Sequence, residues 1–213
     1  MTNWKRTAAC GSALVVLGAF ALAGPANAGG QPRLHDGFFM RLSVGGGSGK
    51  ASIDENGNHA ELKGGAADMN LAFGGMVSTN LALHGTMWGW GVQDPDASVT
   101  LAGIGSGAGS LNGTLAMSAI GPGVTYYVMP ANVYLSGSIG IGSLTGSKDL
   151  NGSSDTGFAL DTTIGKEWWV GDNWGLGFAG DFTYLSAKDK DLVGSTQNWS
   201  VTGFGLRFSA TFN

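Results

Sequence analysis

A small set of ionisable residues stands in segments where polar and apolar residues alternate. The set consists of Arg41, Asp68, His84, Asp161, Glu167, Asp181 and Arg207. Because every second side chain of a strand points to the same side, each of these residues would share a face with small or polar neighbours. The opposite face would be apolar. Charges that share an enclosed face need partners, since an unpaired buried charge is costly.

Three kinds of chemistry suit such a set of residues. The favoured interpretation is a network of ion pairs and hydrogen bonds, in which Arg207 pairs with Asp181 or Glu167 and Arg41 lies nearby. A proton-sensitive gate is the second interpretation. Catalysis by a pair of carboxyl groups, one as acid and one as base, is the third.

Other motifs that suggest chemistry fail on closer reading. The glycine-rich run between Val44 and Ala51 lacks the residues of a phosphate-binding loop at both ends, and no helical pattern follows it. The three histidines fall in separate segments without the spacing of metal ligands. No histidine follows His84, so a hydrolase of the histidine–serine type would lack its base. The sequence predicts no catalytic residue, no metal site and no cofactor.

The elements that must position the charged residues are clearest at the C-terminus. Apolar residues occupy every second position there, and Gly205, Arg207, Ser209 and Thr211 fill the gaps. This period of two predicts a strand with one apolar and one polar face. The aromatic-ended apolar face resembles the terminal signal that outer-membrane barrels present to their insertion machinery. The predicted signal residues are Phe204, Leu206, Phe208 and Phe212.

The same alternation predicts seven earlier strands. Their ranges are 37–47, 66–77, 81–91, 111–128, 133–144, 157–170 and 174–187. Long polar segments follow the first, third, fifth and seventh strands, whereas short turns follow the second, fourth and sixth. This order predicts an all-β fold, an eight-stranded antiparallel up-and-down transmembrane β-barrel over residues 37–213. Pro122 inside the fourth strand predicts a bulge or distortion.

The N-terminus has the pattern of an export signal. Lys5 and Arg6 precede an apolar run, and the small residues Ala26 and Ala28 mark a cleavage site. We expect residues 1–28 to be cleaved and residues 29–36 to form a short periplasmic segment. The remaining chain has no cysteine and a formal net charge of −6, which excludes the basic surface of a nucleic-acid-binding protein.

Aromatic residues fall near both ends of the predicted strands. Such positions are typical of the two aromatic girdles of a membrane barrel. The predicted girdle residues are Phe38, Tyr126, Trp168 and Trp174 at the end with the short turns, and Trp88 and Tyr184 at the other end.

Four stretches add a family resemblance. They are DGFFMRL at 36–42, NLALHG at 80–85, YYVMPANVYL at 126–135 and GKEWWV at 165–170. With the alternating pattern they make the chain similar to the small outer-membrane β-barrel proteins of the OmpX, OmpW and OmpA-transmembrane-domain kind. The resemblance implies location in the cell outer membrane. It also implies contact with outer-membrane lipid and lipopolysaccharide, and insertion by the barrel-insertion machinery.

The resemblance leaves several roles open, because the family includes structural barrels, adhesins and conduits. We favour a non-enzymatic structural scaffold that presents external loops. The main alternative is a narrow conduit for small apolar solutes, with a lateral opening at residues 121–123. The third is an adhesin whose loops bind a surface partner.

Overall fold

The computed structural model describes residues 35–55, 57–150, 152–190 and 196–212. Within these residues it contains eleven β-strands and one short 3₁₀ helix, Lys148–Leu150. The strands are β1 (Phe38–Glu55), β2 (Asn58–Ser78), β3 (Leu81–Gln93), β4 (Asp96–Leu101), β5 (Gly105–Ser110), β6 (Thr114–Val128), β7 (Val133–Gly146), β8 (Gly152–Ser153), β9 (Gly157–Trp169), β10 (Trp174–Lys190) and β11 (Thr196–Phe212). The predicted signal peptide lies outside the described residues. No helix in the described part of the chain is long and apolar enough to cross a membrane.

Eight of these strands form one closed antiparallel barrel. In barrel order they are β1, β2, β3, β6, β7, β9, β10 and β11. The barrel closes where β1 pairs with β11, with Met40 opposite Phe212. The predicted fold class is therefore confirmed. We call the end with the short connections 79–80, 129–132 and 170–173 the turn end, and the opposite end the loop end.

The outer surface carries an apolar belt to which all eight barrel strands contribute. One member from each strand is Leu42, Met69, Met87, Ile120, Ile139, Ile164, Phe178 and Leu206. These side chains are between 40% and 76% exposed. Soluble monomers rarely expose a continuous apolar belt of this extent, and such a belt indicates an apolar environment around the barrel. The neighbouring residues along each strand point into the lumen, as the alternation predicts.

The strands are longer at the loop end than the sequence predicts. The sequence predicts a polar loop over 48–64, but β1 and β2 continue as a paired hairpin from Ser48–Gly65 to Glu55–Asn58. The segment 92–110 also contains structure, because β4 pairs with both β2 and β5. Similarly, β10 and β11 stay paired to Lys190–Thr196. The 48–64 extension consists mostly of glycine and polar residues, so it lacks the apolar alternation that identifies a strand in the sequence, although Ala51 within it is buried.

Pro122 interrupts the pairing of β6 with β7 without causing a bulge. The register between β3 and β6 continues through Gly85–Pro122, and that between β6 and β7 is the same on both sides of the proline, but Gly121 and Pro122 themselves have no paired partner on β7. The two backbones lie very close together here. A Cβ atom on Gly121 would lie 1.9 Å from the carbonyl oxygen of Ile139. The wall between β6 and β7 is therefore closed at the position of the expected lateral opening.

Candidate functional site in the barrel lumen

The middle of the lumen is occupied by Arg207 and three aspartates, which we call the Arg207 layer. Arg207 projects inward from β11, and its side chain is 1% exposed. Its Nε lies 2.6 Å from Asp68 Oδ1, its Nη1 2.9 Å from Asp161 Oδ2 and its Nη2 3.2 Å from Asp181 Oδ2. Three strands, β2, β9 and β10, thus each provide one carboxyl group to a single guanidinium group.

Two neutral groups complete the hydrogen bonds of Asp161. Asn70 donates from its side-chain nitrogen to Asp161 Oδ1 at 3.0 Å, and the Thr163 hydroxyl donates to the same oxygen at 3.3 Å. Both oxygens of this carboxyl group therefore have donors. Asp161 thus accepts hydrogen bonds from three side chains, those of Arg207, Asn70 and Thr163.

A second charged layer, the Arg41 layer, lies closer to the turn end. In the register, Arg41 is opposite Thr211, whereas Arg207 is opposite Gly45. Arg41 Nε donates to Glu167 Oε1 at 3.2 Å, and Nη2 donates to the Tyr127 hydroxyl at 2.6 Å. The guanidinium group also lies 3.8 Å from the ring centroid of Tyr134. One cation faces one carboxylate here, so the charges of this layer balance.

Further polar contacts surround the Arg41 layer. The Thr211 hydroxyl donates to Glu167 Oε1 at 2.6 Å. His84 lies 2.7 Å from the Thr86 hydroxyl and 2.9 Å from that of Thr125. At the turn end, the buried His35 ring stacks on Tyr127 at 3.7 Å between ring centroids. These contacts fill the lumen between the Arg41 layer and the turn end.

The loop end of the lumen is filled by apolar side chains, which we call the apolar layer. Its larger members are Trp88, Trp90, Val92, Leu115, Met117, Leu144, Leu185 and Val201. All of them are at most 5% exposed. The lumen is thus filled at three levels, by an apolar layer and two charged layers.

The structure brings together most of the predicted lumen residues but pairs them differently. Asp181 does contact Arg207, as expected. Glu167 does not, because it pairs with Arg41 instead. Asp68 and Asp161 are the two closest carboxyl groups to Arg207. Alternation predicts that all of these side chains point into the lumen. It does not predict the position of each charged residue along the barrel axis, and that position decides which residues pair.

One predicted girdle residue is wrong. Trp88 is 3% exposed and lies in the apolar layer, because it has the same parity along β3 as the inward-facing His84. Four other girdle candidates are on the outer surface at the turn end. They are Phe38, Tyr126, Trp168 and Trp174. Tyr184 belongs to the outward-facing row of β10 and is half-buried.

Sequence reasoning also missed two lumen tyrosines. Tyr127 and Tyr134 are both fully buried and contact Arg41. The signal was present, since Tyr134 has the parity of the inward-facing Ser136. The predicted insertion-signal residues all lie on the outward row of β11.

A separate charged group lies outside the barrel, on the extended β1–β2 hairpin. Lys50 Nζ is 2.5 Å from Glu61 Oε2, and Lys63 Nζ is 3.0 Å from Glu61 Oε1. These two hydrogen bonds lower the pKa of the Glu61 carboxyl to about 2, and the bond from Lys50 has the larger effect. In the described residues, no group of three or more His, Cys, Asp and Glu side chains is arranged to hold a metal ion.

Comparison with known proteins addresses the fold. No protein-family model matches the sequence, and no curated protein matches it either. Among solved structures, the chain is similar to Neisserial surface protein A (NspA), with 13% identity and a TM-score of 0.52 over 82% of this chain and 96% of that chain. It is also similar to the outer membrane protein OprG from Pseudomonas aeruginosa, with 12% identity and a TM-score of 0.48 over 86% of this chain and 100% of that chain.

The likeness to NspA agrees with the closed strand order. The protein is a small eight-stranded antiparallel β-barrel. Its fold is that of the small outer-membrane barrels, of which NspA is one solved example.

Proposed function

We propose that the protein is an integral outer-membrane barrel with a structural role. The apolar belt supports the location, because it encircles the barrel and includes residues as exposed as Leu206, at 76%. The outward-facing aromatic residues at the turn end fit a membrane interface. Its partners in this role are outer-membrane lipid, lipopolysaccharide and the barrel-insertion machinery. The protein should fractionate with outer membranes and migrate differently on gels before and after boiling.

The observation that carries the structural role is the filled lumen. A solute that crossed the barrel would have to displace buried indole rings of the apolar layer. It would then have to separate Arg207 and Arg41 from their carboxyl partners. Breaking a buried ion pair costs about 3–5 kcal/mol, so two such layers oppose passage strongly. A closed barrel that anchors external hairpins fits these contacts better than a conduit.

Conductance in planar bilayers tests this proposal. We expect purified protein to give no steady single-channel current. Trp90→Gly, which removes a buried ring from the lumen, should increase leakage of small ions. Trp174→Gly removes a ring of the same kind from the outer surface and should not. Steady conductance of the unaltered protein, or transport of small apolar solutes into vesicles, would favour the conduit instead.

A surface-binding role is a second candidate, favoured by the hairpin of β4 and β5. This hairpin lies at the loop end of the barrel, where β4 pairs with β2 and β5 forms the edge of the sheet. Val99, Leu101 and Ile104 are exposed on it, Ile104 by 83%. Replacing residues 97–109 with a short turn should leave the barrel folded. Loss of cell attachment in that variant would support an adhesin, and unchanged attachment would count against it.

A further inference from the structure

The Arg207 layer contains more acid than base. If Asp68, Asp161 and Asp181 were all ionised, three negative charges would surround one guanidinium group. All three side chains are at most 6% exposed, so water contributes little to their solvation. Uncompensated charge in such a place is costly. Proteins relieve this cost by keeping one of the acids neutral.

The arrangement of oxygen atoms indicates which acids share the proton. Asp68 uses Oδ1 for Arg207, and Asp181 uses Oδ2. Their other oxygens, Asp68 Oδ2 and Asp181 Oδ1, both face the bare inner side of Gly205. A Cβ atom there would lie 2.7 Å from the first and 2.8 Å from the second. Glycine at position 205 therefore makes room for two carboxyl groups to approach each other.

The hydrogen bonds lead to the same pair. Asp181 Oδ1 is buried and has no donor among the described groups when both acids are ionised. This oxygen and Asp68 Oδ2 nevertheless lie on the same bare face of Gly205, each within 2.8 Å of the point that a Cβ atom would occupy. Two carboxylates are both acceptors, so a hydrogen bond between them exists only when one carries a proton. Asp161 differs, because Asn70 and Thr163 already donate to it.

We propose that Asp68 and Asp181 form a proton-binding site, in which one proton is shared between Asp68 Oδ2 and Asp181 Oδ1 beside Gly205. The ligand is a proton. Arg207 donates a hydrogen bond to Asp68 Oδ1 and forms an ion pair with Asp181 Oδ2, so its guanidinium group contacts the other oxygen of each carboxyl group. This arrangement is the carboxyl–carboxylate pair that two adjacent acids adopt when both cannot ionise.

The surroundings of the site contain two other charged groups. Arg207 on β11 and Asp161 on β9 face it directly. The residues level with Asp68 on the adjacent strands are Gly45 of β1 and Trp90 of β3, which are uncharged. Thr163 of β9 is level with Asp181 and is also neutral. The Arg41 and Glu167 pair lies in the other charged layer, nearer the turn end.

The shared proton links stability to pH. The folded barrel holds one proton that the unfolded chain releases above the ordinary titration range of aspartate, about pH 4. The site therefore favours folding more as the pH falls from neutral toward that range. While only the folded barrel holds the proton, the folding equilibrium constant rises about tenfold for each unit by which the pH falls.

Carbon-13 NMR of the refolded protein with labelled aspartate carboxyl groups tests the proposal directly. At neutral pH, we expect a carboxyl signal with the shift of a protonated acid. Asp181→Asn and Asp68→Asn should each remove it, whereas Asp155→Asn, on the exposed loop-end connection, should leave it in place. Fully ionised shifts for every aspartate at neutral pH would overturn the proposal. A protonated signal that survives both substitutions would overturn it as well.

A stability comparison provides a second test that does not depend on spectral assignment. In the Asp181→Asn variant, the introduced side-chain amide can donate to Asp68 without taking up a proton. The ratio of the folding constants of Asp181→Asn and the unaltered protein should therefore rise about tenfold per unit as the pH increases from about 5 to 7. Asp155→Asn should show no such trend. A ratio for Asp181→Asn that is independent of pH would contradict the shared proton.

Discussion

At the scale of single residues, the structure depends most on two arginines with different partners. Arg41 faces one carboxylate and two tyrosines, whereas Arg207 faces three carboxyl groups. Both guanidinium groups are almost completely enclosed, with side-chain exposures of 4% and 1%. A buried ion pair adds little net stability over apolar packing, but removing one partner is expensive. The main effect of losing either arginine is therefore that its carboxyl partners remain buried without a cation.

Arg207→Leu should destabilise the barrel by about 3–5 kcal/mol, because it leaves three acids without their cation. Denaturant unfolding in lipid vesicles would measure this loss. Lys188→Leu removes an exposed cation from the neighbouring strand and should have a small effect. Adding Asp161→Asn to Arg207→Leu should restore part of the stability. Strict additivity of those two changes would contradict the ion-pair network.

Glu61 gives a pH dependence of the opposite sign to that of the shared proton. Its folded pKa of about 2 lies below the ordinary value of a glutamate, about 4.3. The Lys50 and Lys63 hydrogen bonds therefore stabilise the hairpin above the ordinary pKa. This stabilisation is lost as the pH falls through the folded pKa. Hydrogen exchange of the hairpin amides should be faster in Glu61→Gln than in the unaltered protein at neutral pH. The difference should disappear near pH 2, and an equal difference at both pH values would be inconsistent with this origin.

At the scale of elements, alternation explains what the sequence could predict. All eight barrel strands and their inward rows follow from period two, because one face meets an apolar exterior and the other a crowded lumen. The extension of β1 and β2 at the loop end could not be predicted in this way, since most residues of 48–64 are glycine or polar and leave no apolar row to recognise. Trp88 lies near the end of β3, but its parity is that of His84, and parity decides that its ring points into the lumen.

Partner choice inside the lumen also lies beyond the sequence pattern. Arg207 and Glu167 are both inward-facing, yet Glu167 belongs to the Arg41 layer. The height of each residue depends on how far the strands are staggered as the sheet closes. This stagger is a property of the whole barrel, so it cannot be predicted from the sequence of any one strand.

The terminal strand offers a test of the proposed insertion signal. The Phe212 ring packs edge-on against the Trp174 ring, with 5.3 Å between ring centroids, and its centroid lies 6.4 Å from that of the Phe38 ring. It thus joins β11 to both of its neighbours where the barrel closes. We expect Phe212→Ala to lower the amount of protein inserted in the outer membrane, and Phe212→Tyr to retain most of it.

Controls for the insertion test must be chosen on the outer surface. Thr211 is unsuitable, because its side chain is buried and its hydroxyl bonds to Glu167. Phe158→Ala removes an aromatic ring that is 52% exposed at the other end of the barrel. It should reduce insertion less than Phe212→Ala does. Equal losses for the two variants would indicate that general apolarity, and not the terminal strand, is recognised.

The contact between β6 and β7 gives a second test at this scale. Gly121→Ala would place a Cβ atom against the Ile139 carbonyl oxygen and force the strands apart. We expect a loss of about 1–3 kcal/mol in the free energy of unfolding. Gly137→Ala in β7 meets no atom within 4 Å and serves as the control. If Gly121→Ala were as stable as Gly137→Ala, the two strands would be less tightly joined than the structure indicates.

At the scale of the whole molecule, the two ends of the barrel differ in length and composition. The turn end is short and aromatic, whereas the loop end carries the β1–β2 and β4–β5 hairpins with their charged and glycine-rich residues. Membrane barrels expose longer connections to the outside of the cell and short ones to the periplasm. We therefore expect the loop end to face the cell exterior.

Single-cysteine labelling of intact cells would determine this orientation. Cys10 is the only cysteine of the sequence and lies in the predicted signal peptide, so introduced thiols would have no competitors after its cleavage. A membrane-impermeant reagent should reach cysteines at Asn58 and Gly105, which lie at the loop end. It should reach those at Thr79 and Ala131 only after the outer membrane is opened. Labelling of the second pair alone in intact cells would invert the orientation, and with it the assignment of the hairpins to the cell surface.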